Sequence, residues 1–192
     1  MRLLFGMLFI GLCTTSASAL VTEQIIAVVN GQLIFQTDIS RNQTFFEQGA
    51  DVENLINYKL LLIEAKRFVL SPPEEEEVEL AFEDIRRKFS NASVFDSARK
   101  ETGFTIEDFK REILDRLWVK KLIRDRITFF IFITEEEIAQ YYQNHQNDFG
   151  DKERNAVWED IRMILEKERE EIKIKEYLAR IKSQANIEVN MR

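Results

Sequence analysis

The chain has 192 residues, 45% hydrophobic and 32% charged, with a net charge of −7. This is the composition of a globular protein and excludes the disordered and fibrous classes, and the negative charge argues against nucleic acid, whose binding needs a basic face. With only 2 Pro and 6 Gly, few residues break helices, so a helix-dominated fold of one domain, or at most two small ones, is expected.

The first residues read as a signal peptide. Met1-Arg2 gives a positive start, Leu3 to Leu12 an apolar run, and Ala17-Ser18-Ala19 the small-x-small cleavage pattern. The run is too short to span a bilayer, which takes about 20 apolar residues. The alternatives are a buried or anchoring first helix, or a lipoprotein signal at Cys13, where Leu12 replaces the small residue normally found before a lipidated cysteine. Residues 1–19 are thus expected to be removed, leaving 20–192 as the exported chain. Cleavage removes Arg2 and no acid, taking the net charge from −7 to −8. It also removes Cys13, the single cysteine, and with it any disulfide, thiol nucleophile or zinc–thiolate site. No second segment is apolar enough for stable membrane insertion.

Ile25 to Val29 is β-branched and apolar, Asn30-Gly31 follows, and Gln32 to Phe35 completes a hairpin pattern, because a type I′ turn needs positive φ at both central positions. Ile187-Glu188-Val189 alternates apolar and polar and is expected to join this hairpin, since an isolated hairpin is marginal in water. Between these ends the pattern is helical. Thr37 is the expected cap of a helix through Gln48, and Asp51 of a heavily buried helix to Leu70 carrying Leu55, Ile56, Leu60, Ile63 and Ala65. Ser71-Pro72-Pro73-Glu74 reads as a start signal with Ser71 as cap, followed by Val78, Phe82, Ile85 and Phe89 on one face. A short helix over Val94 to Lys100 should end at Gly103. Thr105 with Asp108 opens a helix to about Ile127 with Phe109, Ile113 and Leu117 on one stripe. Phe129 to Ile133 is aperiodic, either a buried extended connector or the end of the preceding helix. Thr134 with Glu137 forms a capping box for a helix to about Asn147. The last helix, roughly Lys152 to Ser183, places Val157, Ile161, Leu165, Ile172 and Leu178 near one face and charge on the other; the apolar seam is too irregular to prefer a coiled coil.

These pieces resemble a known family. Ile26-Ala27-Val28-Val29-Asn30-Gly31-Gln32-Leu33-Ile34 with Thr37-Asp38-Ile39 is similar to the start of SurA-type periplasmic chaperones, and Asn54 to Ala65 resembles their next helix. Phe104 to Phe109, Ile133 to Ile138 with Tyr141-Tyr142 and Phe149, and Ala185 to Val189 resemble later segments in the same order. The resemblance implies a mainly α, multi-helix module like the SurA N-terminal and trigger-factor C-terminal regions, with the N-terminal hairpin joined by a C-terminal strand. In that family a parvulin prolyl-isomerase domain often follows the Tyr-Tyr…Phe helix. Here only Gly150 and Asp151 separate Phe149 from the last helix. The expectation is therefore one chaperone domain, residues 20–149 closed by 152–192, with the isomerase insertion absent near 150–151 and no enzymatic activity.

No catalytic constellation stands out. His145, the only histidine, has no second histidine or cysteine to act with as base or metal ligand, and it reads as an exposed polar residue. The acid runs Glu74–Glu77 and Glu135–Glu137 are explained by helix starts. No Gly-rich phosphate loop occurs. No catalytic, cofactor-binding or metal residue is assigned, and no cofactor is expected. Aromatic content is more suggestive: Phe45, Phe46, Phe95, Phe129, Phe130 and Phe132 exceed what helical stripes require, and with Tyr141 and Tyr142 they are the candidate client-binding residues. The expected function is an ATP-independent periplasmic holdase for unfolded or partly folded envelope proteins, outer-membrane proteins in transit among them, as monomer or dimer. The alternatives are a dedicated assembly partner of one envelope protein and a prolyl-isomerase-family protein with residual activity.

Overall fold

The computed structural model describes residues 23–46, 51–68, 71–150 and 154–190. The expected signal peptide and the expected helix end at Gln48-Gly49 lie outside them. The hairpin of β1 (Ile25–Val29) and β2 (Gln32–Phe35) forms as the Asn30-Gly31 signal predicts, with φ of 47° and 82° at the two turn residues. β3 (Ile187–Val189) pairs antiparallel with β1, Val28 opposite Glu188, giving sheet order β2-β1-β3. Asn30 secures the junction: its N–H donates to the Asn186 carbonyl and its Oδ1 accepts the Asn186 N–H, each at 2.8 Å.

Eight α-helices occupy the rest of the described residues: α1 (Gln36–Phe45), α2 (Val52–Phe68), α3 (Glu75–Arg87), α4 (Ala92–Glu101), α5 (Ile106–Arg126), α6 (Glu135–Asn144), α7 (Gln146–Phe149) and α8 (Trp158–Lys182). The mainly helical fold with a small terminal sheet is the one expected. Several caps are those read in the sequence: Asp51 Oδ1 accepts from Asn54 N at 2.7 Å, Thr105 Oγ1 from Asp108 N at 3.0 Å, and Thr134 Oγ1 from Glu137 N at 3.2 Å.

Two start signals are displaced. α1 begins after Phe35, whose N–H donates to Asp38 Oδ2 at 2.9 Å, while Thr37 reaches Glu23 instead. α3 is capped at Glu74, not Ser71; its N–H donates to Glu77 Oε2 at 2.9 Å. Pro73 disfavours the helical region at Pro72, so the helix cannot start until both prolines are passed. α6 stops at Asn144, earlier than expected, and the last helix begins at Trp158 after a 3₁₀ turn at Arg154–Ala156.

Among the described residues, three apolar clusters hold the fold together. In the first, α2 lies across the sheet, burying Leu55, Ile56, Leu60, Leu62 and Ala65 against Val29, Ile34, Leu122 and Ile181. The second is built of phenylalanine. Phe109 is fully buried, with ring centroids 4.9 to 5.8 Å from those of Phe45, Phe46, Phe82, Phe95 and Phe104, mostly edge-to-face. The third is small: Ile138, Val157 and Ile161 join α6 to the start of α8.

A partly buried polar group bridges the first two clusters. Arg116 lies 3.6 Å over the Phe46 ring and 4.8 Å over Tyr58, donates to Asn42 Oδ1 at 2.6 Å and pairs with Glu112 at 3.0 Å. Burial pushes the Glu112 carboxyl up against the pull of Arg116, and burial likewise raises the Tyr58 phenol.

Truncating the ring at the centre of the second cluster leaves a cavity, so Phe109→Ala is expected to cost about 4 kcal/mol in urea unfolding, against less than about 0.5 kcal/mol for Phe129→Ala on the surface. Similar losses for the two variants would contradict the assignment of these rings to core and surface.

Candidate functional site

α8 has 25 residues and so spans about 37 Å at 1.5 Å per residue. Its first turns pack on α6 through Ile161, and its last turns on the first cluster through Tyr177, Leu178 and Ile181. Between these ends the contacts given are polar ones, from Arg169 and Glu170 to the segment after α5. Ile172, expected on the buried stripe, is 55% exposed, because the two packed ends of α8 use different faces and no single stripe runs its length.

Beneath this middle section lies a cleft of about 600 Å³ between α3, α5 and α8. Ala81 and Ile85 form one wall, Ile113, Leu117 and Ile123 the floor, and Ile174 the α8 side. Its polar edge carries Lys120, Arg124 and Glu170. A second hollow of about 340 Å³ adjoins it, sharing Thr128 and Glu170 and adding Met163 and Ile131.

The aperiodic segment after α5 stands at the junction. It is neither a buried connector nor a continuation of α5. Thr128–Phe130 forms a single 3₁₀ turn, followed by an extended stretch to the Thr134 cap. Phe129, Phe130 and Phe132 are 73%, 65% and 74% exposed, and the Phe129 and Phe130 rings meet edge-to-face at 5.3 Å. The shelf is fixed from behind. Arg169 Nη1 donates to the Phe132 carbonyl at 2.7 Å and Nη2 to Glu137, while the Thr128 hydroxyl bonds Glu170. Glu137 also accepts the Thr134 N–H at 2.8 Å, so one carboxylate caps α6 and orients Arg169. The hydrogen bond from Arg169, followed by that from the Thr134 backbone, holds this carboxyl down at about 2.

The other candidate residues are placed differently. Phe45 and Phe95 are sealed in the phenylalanine cluster, where they offer no surface to a client. Phe46 is half-buried beneath Arg116 and lines the inner end of the cleft. Tyr141 and Tyr142 pack around Phe149 beside the third cluster. His145 is stacked on Tyr141 at 4.1 Å, with Nδ1 2.9 Å from the Tyr141 carbonyl. Among the described residues no group of three His, Cys, Asp or Glu could hold a metal ion, and no helix is long and apolar enough to cross a membrane. The residues not singled out for binding in the sequence are Ile85, Ile123 and Ile174 of the cleft and Ile131 and Met163 of the adjoining hollow. The available signal was the misfit of Met163 and Ile174 with the principal stripe of α8.

No family model matches the chain. It is 26% identical over 178 residues to the foldase protein PrsA of Clostridium botulinum, covering 77% of this chain and 53% of that protein. It is 27% identical over 118 residues to PrsA of Clostridium perfringens, covering 60% of this chain and 34% of the relative, and 24% identical over 123 residues to PrsA of Clostridium acetobutylicum, covering 62% and 37%. The chain thus spans between about a third and a half of the curated relatives it matches. Each of these relatives is named a foldase, which overturns the expectation that the protein is no enzyme. That expectation rested on reading only Gly150 and Asp151 between Phe149 and the last helix, and so short a connection speaks only to an insertion at that point.

The Glu137–Arg169 pair is the fastening most open to test. The Glu137 carboxyl is depressed in the fold, so its contribution is complete above its ordinary value near pH 4.5 and is lost as pH falls towards about 2. In Glu137→Gln at neutral pH, amide exchange in residues 128–134 is expected to accelerate several-fold while α2 stays protected. Unchanged exchange would remove the pair from this role.

Proposed function

We propose that the protein is a chaperone that binds unfolded or partly folded exported polypeptides in the cleft under α8, with the Phe129–Phe132 shelf as its main contact. The observation that carries this reading is the exposure of three phenylalanines in a four-residue stretch beside an apolar cleft of about 600 Å³. Apolar patches of this kind mark binding surfaces. The foldase name of the relatives supports the same reading.

The chemistry suits transient capture. Covering roughly 400 Å² of ring surface at about 25 cal/mol per Å² gives about 10 kcal/mol gross, and ordering an extended chain removes much of it. What remains is weak, fast-exchanging binding without a nucleotide or cofactor. The shelf is backbone-anchored and the rings are free, so many sequences could be accepted. In this reading the chain acts outside the cytoplasm, in the periplasm, on envelope clients that include outer-membrane proteins. The sequence expectation of a single domain over residues 20–192 belongs to the same proposal.

The relatives' name favours a second reading, in which the bound client is also accelerated through a folding step. Proline-limited refolding of a client with and without the protein separates capture alone from capture with catalysis.

Light scattering of a thermally unfolding client tests the main reading. A several-fold excess of the chain is expected to suppress aggregation, and the triple variant Phe129→Ser/Phe130→Ser/Phe132→Ser to lose most of that effect with its own thermal midpoint nearly unchanged. Full suppression by the triple variant would place client binding elsewhere.

A further inference from the structure

Across the shelf from the apolar cleft lies a pocket of about 370 Å³ with a different character. Phe130, Ile127, Ile131 and Tyr177 supply its apolar surface. Around them stand Arg126, Arg169, Lys173 and Arg180, against Glu176 as the one carboxylate in the lining. Arg169 is engaged by Glu137, and Lys173 by Glu176 at 2.9 Å. Arg126 and Arg180 are instead met by aromatic side chains, with Phe68 at 5.2 Å and Tyr177 at 4.6 Å, and Arg180 also hydrogen-bonds the Tyr177 phenol. With five N–H donors each, guanidiniums stacked on rings keep donors for a carboxylate even where one is engaged. The Tyr177 hydroxyl donates to Glu64 at 3.1 Å, so that acid is already engaged by the phenol.

Such a concentration of cations is out of keeping with a chain whose net charge is −7. The field of the whole molecule repels acidic peptides, whereas this pocket attracts them at short range beside an exposed aromatic ring. We infer that the pocket receives an aromatic side chain of an extended peptide with an acidic residue next to it, the ring lying on Phe130 and Ile131 and the carboxylate meeting Arg126 and Arg180. This rests on the client-binding reading and narrows it: the segments held most tightly are acidic–aromatic ones.

Three fluorescently labelled peptides of one length, each with two phenylalanines, test the assignment; the flanking residues are glutamate, glutamine or lysine. In fluorescence anisotropy with the full chain, the glutamate peptide should bind on the order of 10-fold tighter than the glutamine peptide at low salt, and high salt should erase the difference. The double variant Arg126→Gln/Arg180→Gln, altered at two exposed positions, should bind the glutamate and glutamine peptides alike and leave the glutamine affinity unchanged. The salt comparison on the unaltered chain needs no variant to fold. Equal binding of all three peptides, or tightest binding of the lysine peptide as the global charge dictates, overturns the pocket assignment and leaves client binding standing. Failure of every peptide to bind overturns the client reading and the assignment together.

Discussion

The pairing of β3 with β1 is the constraint on which the rest depends. It joins residues more than 150 positions apart, with Asn30 exchanging two hydrogen bonds with Asn186 at the turn. That junction fixes the C-terminal end of α8 against the α2 core, while Ile138, Val157 and Ile161 fix its other end. A 25-residue helix whose apolar packing lies at its two ends, with polar ties to the shelf at Arg169 and Glu170, must cross the space between them. The cleft is therefore a product of topology, and no special loop is needed to build it.

Phenylalanine serves two opposite purposes in the molecule. In the second cluster, rings from α1, α3, α4 and α5 are interlocked edge-to-face, replacing the aliphatic packing that α2 gives the sheet. On the shelf, the same side chain is turned outward, and the backbone behind it is tied to α8 by Arg169, Glu137 and the Thr128–Glu170 contact. Keeping three rings in water forgoes burial worth roughly 2 kcal/mol each. A segment that forgoes this yet is fastened at its carbonyl and its cap is what the proposed client contact requires.

The sequence made the framework legible because its strongest signals are local. Asn30-Gly31 dictates a turn with two positive φ values, and Asp51, Thr105 and Thr134 cap the helices that follow them. The terminal sheet was readable because Ile187 and Val189 alternate where a marginal hairpin needs a third strand. What escaped was tertiary. Phe45 and Phe95 are indistinguishable in sequence from Phe129 and Phe132, and only the convergence of α1, α3 and α4 on Phe109 of α5 separates core from surface. The two prolines moved the α3 cap to Glu74 through a steric effect on the preceding residue. The cation-rich pocket draws on the end of α5 and the second half of α8, some 40 to 50 residues apart, and no spacing rule connects them.

Site-specific photo-crosslinking tests the central claim most directly. A photoreactive phenylalanine analogue placed at position 130 should capture an unfolded client in high yield. The same analogue at position 80, where Leu80 is equally apolar and exposed on α3 outside the clefts, should capture little. Equal yields at the two positions would mean that exposed apolar surface is merely sticky, and that the space beneath α8 is no binding site.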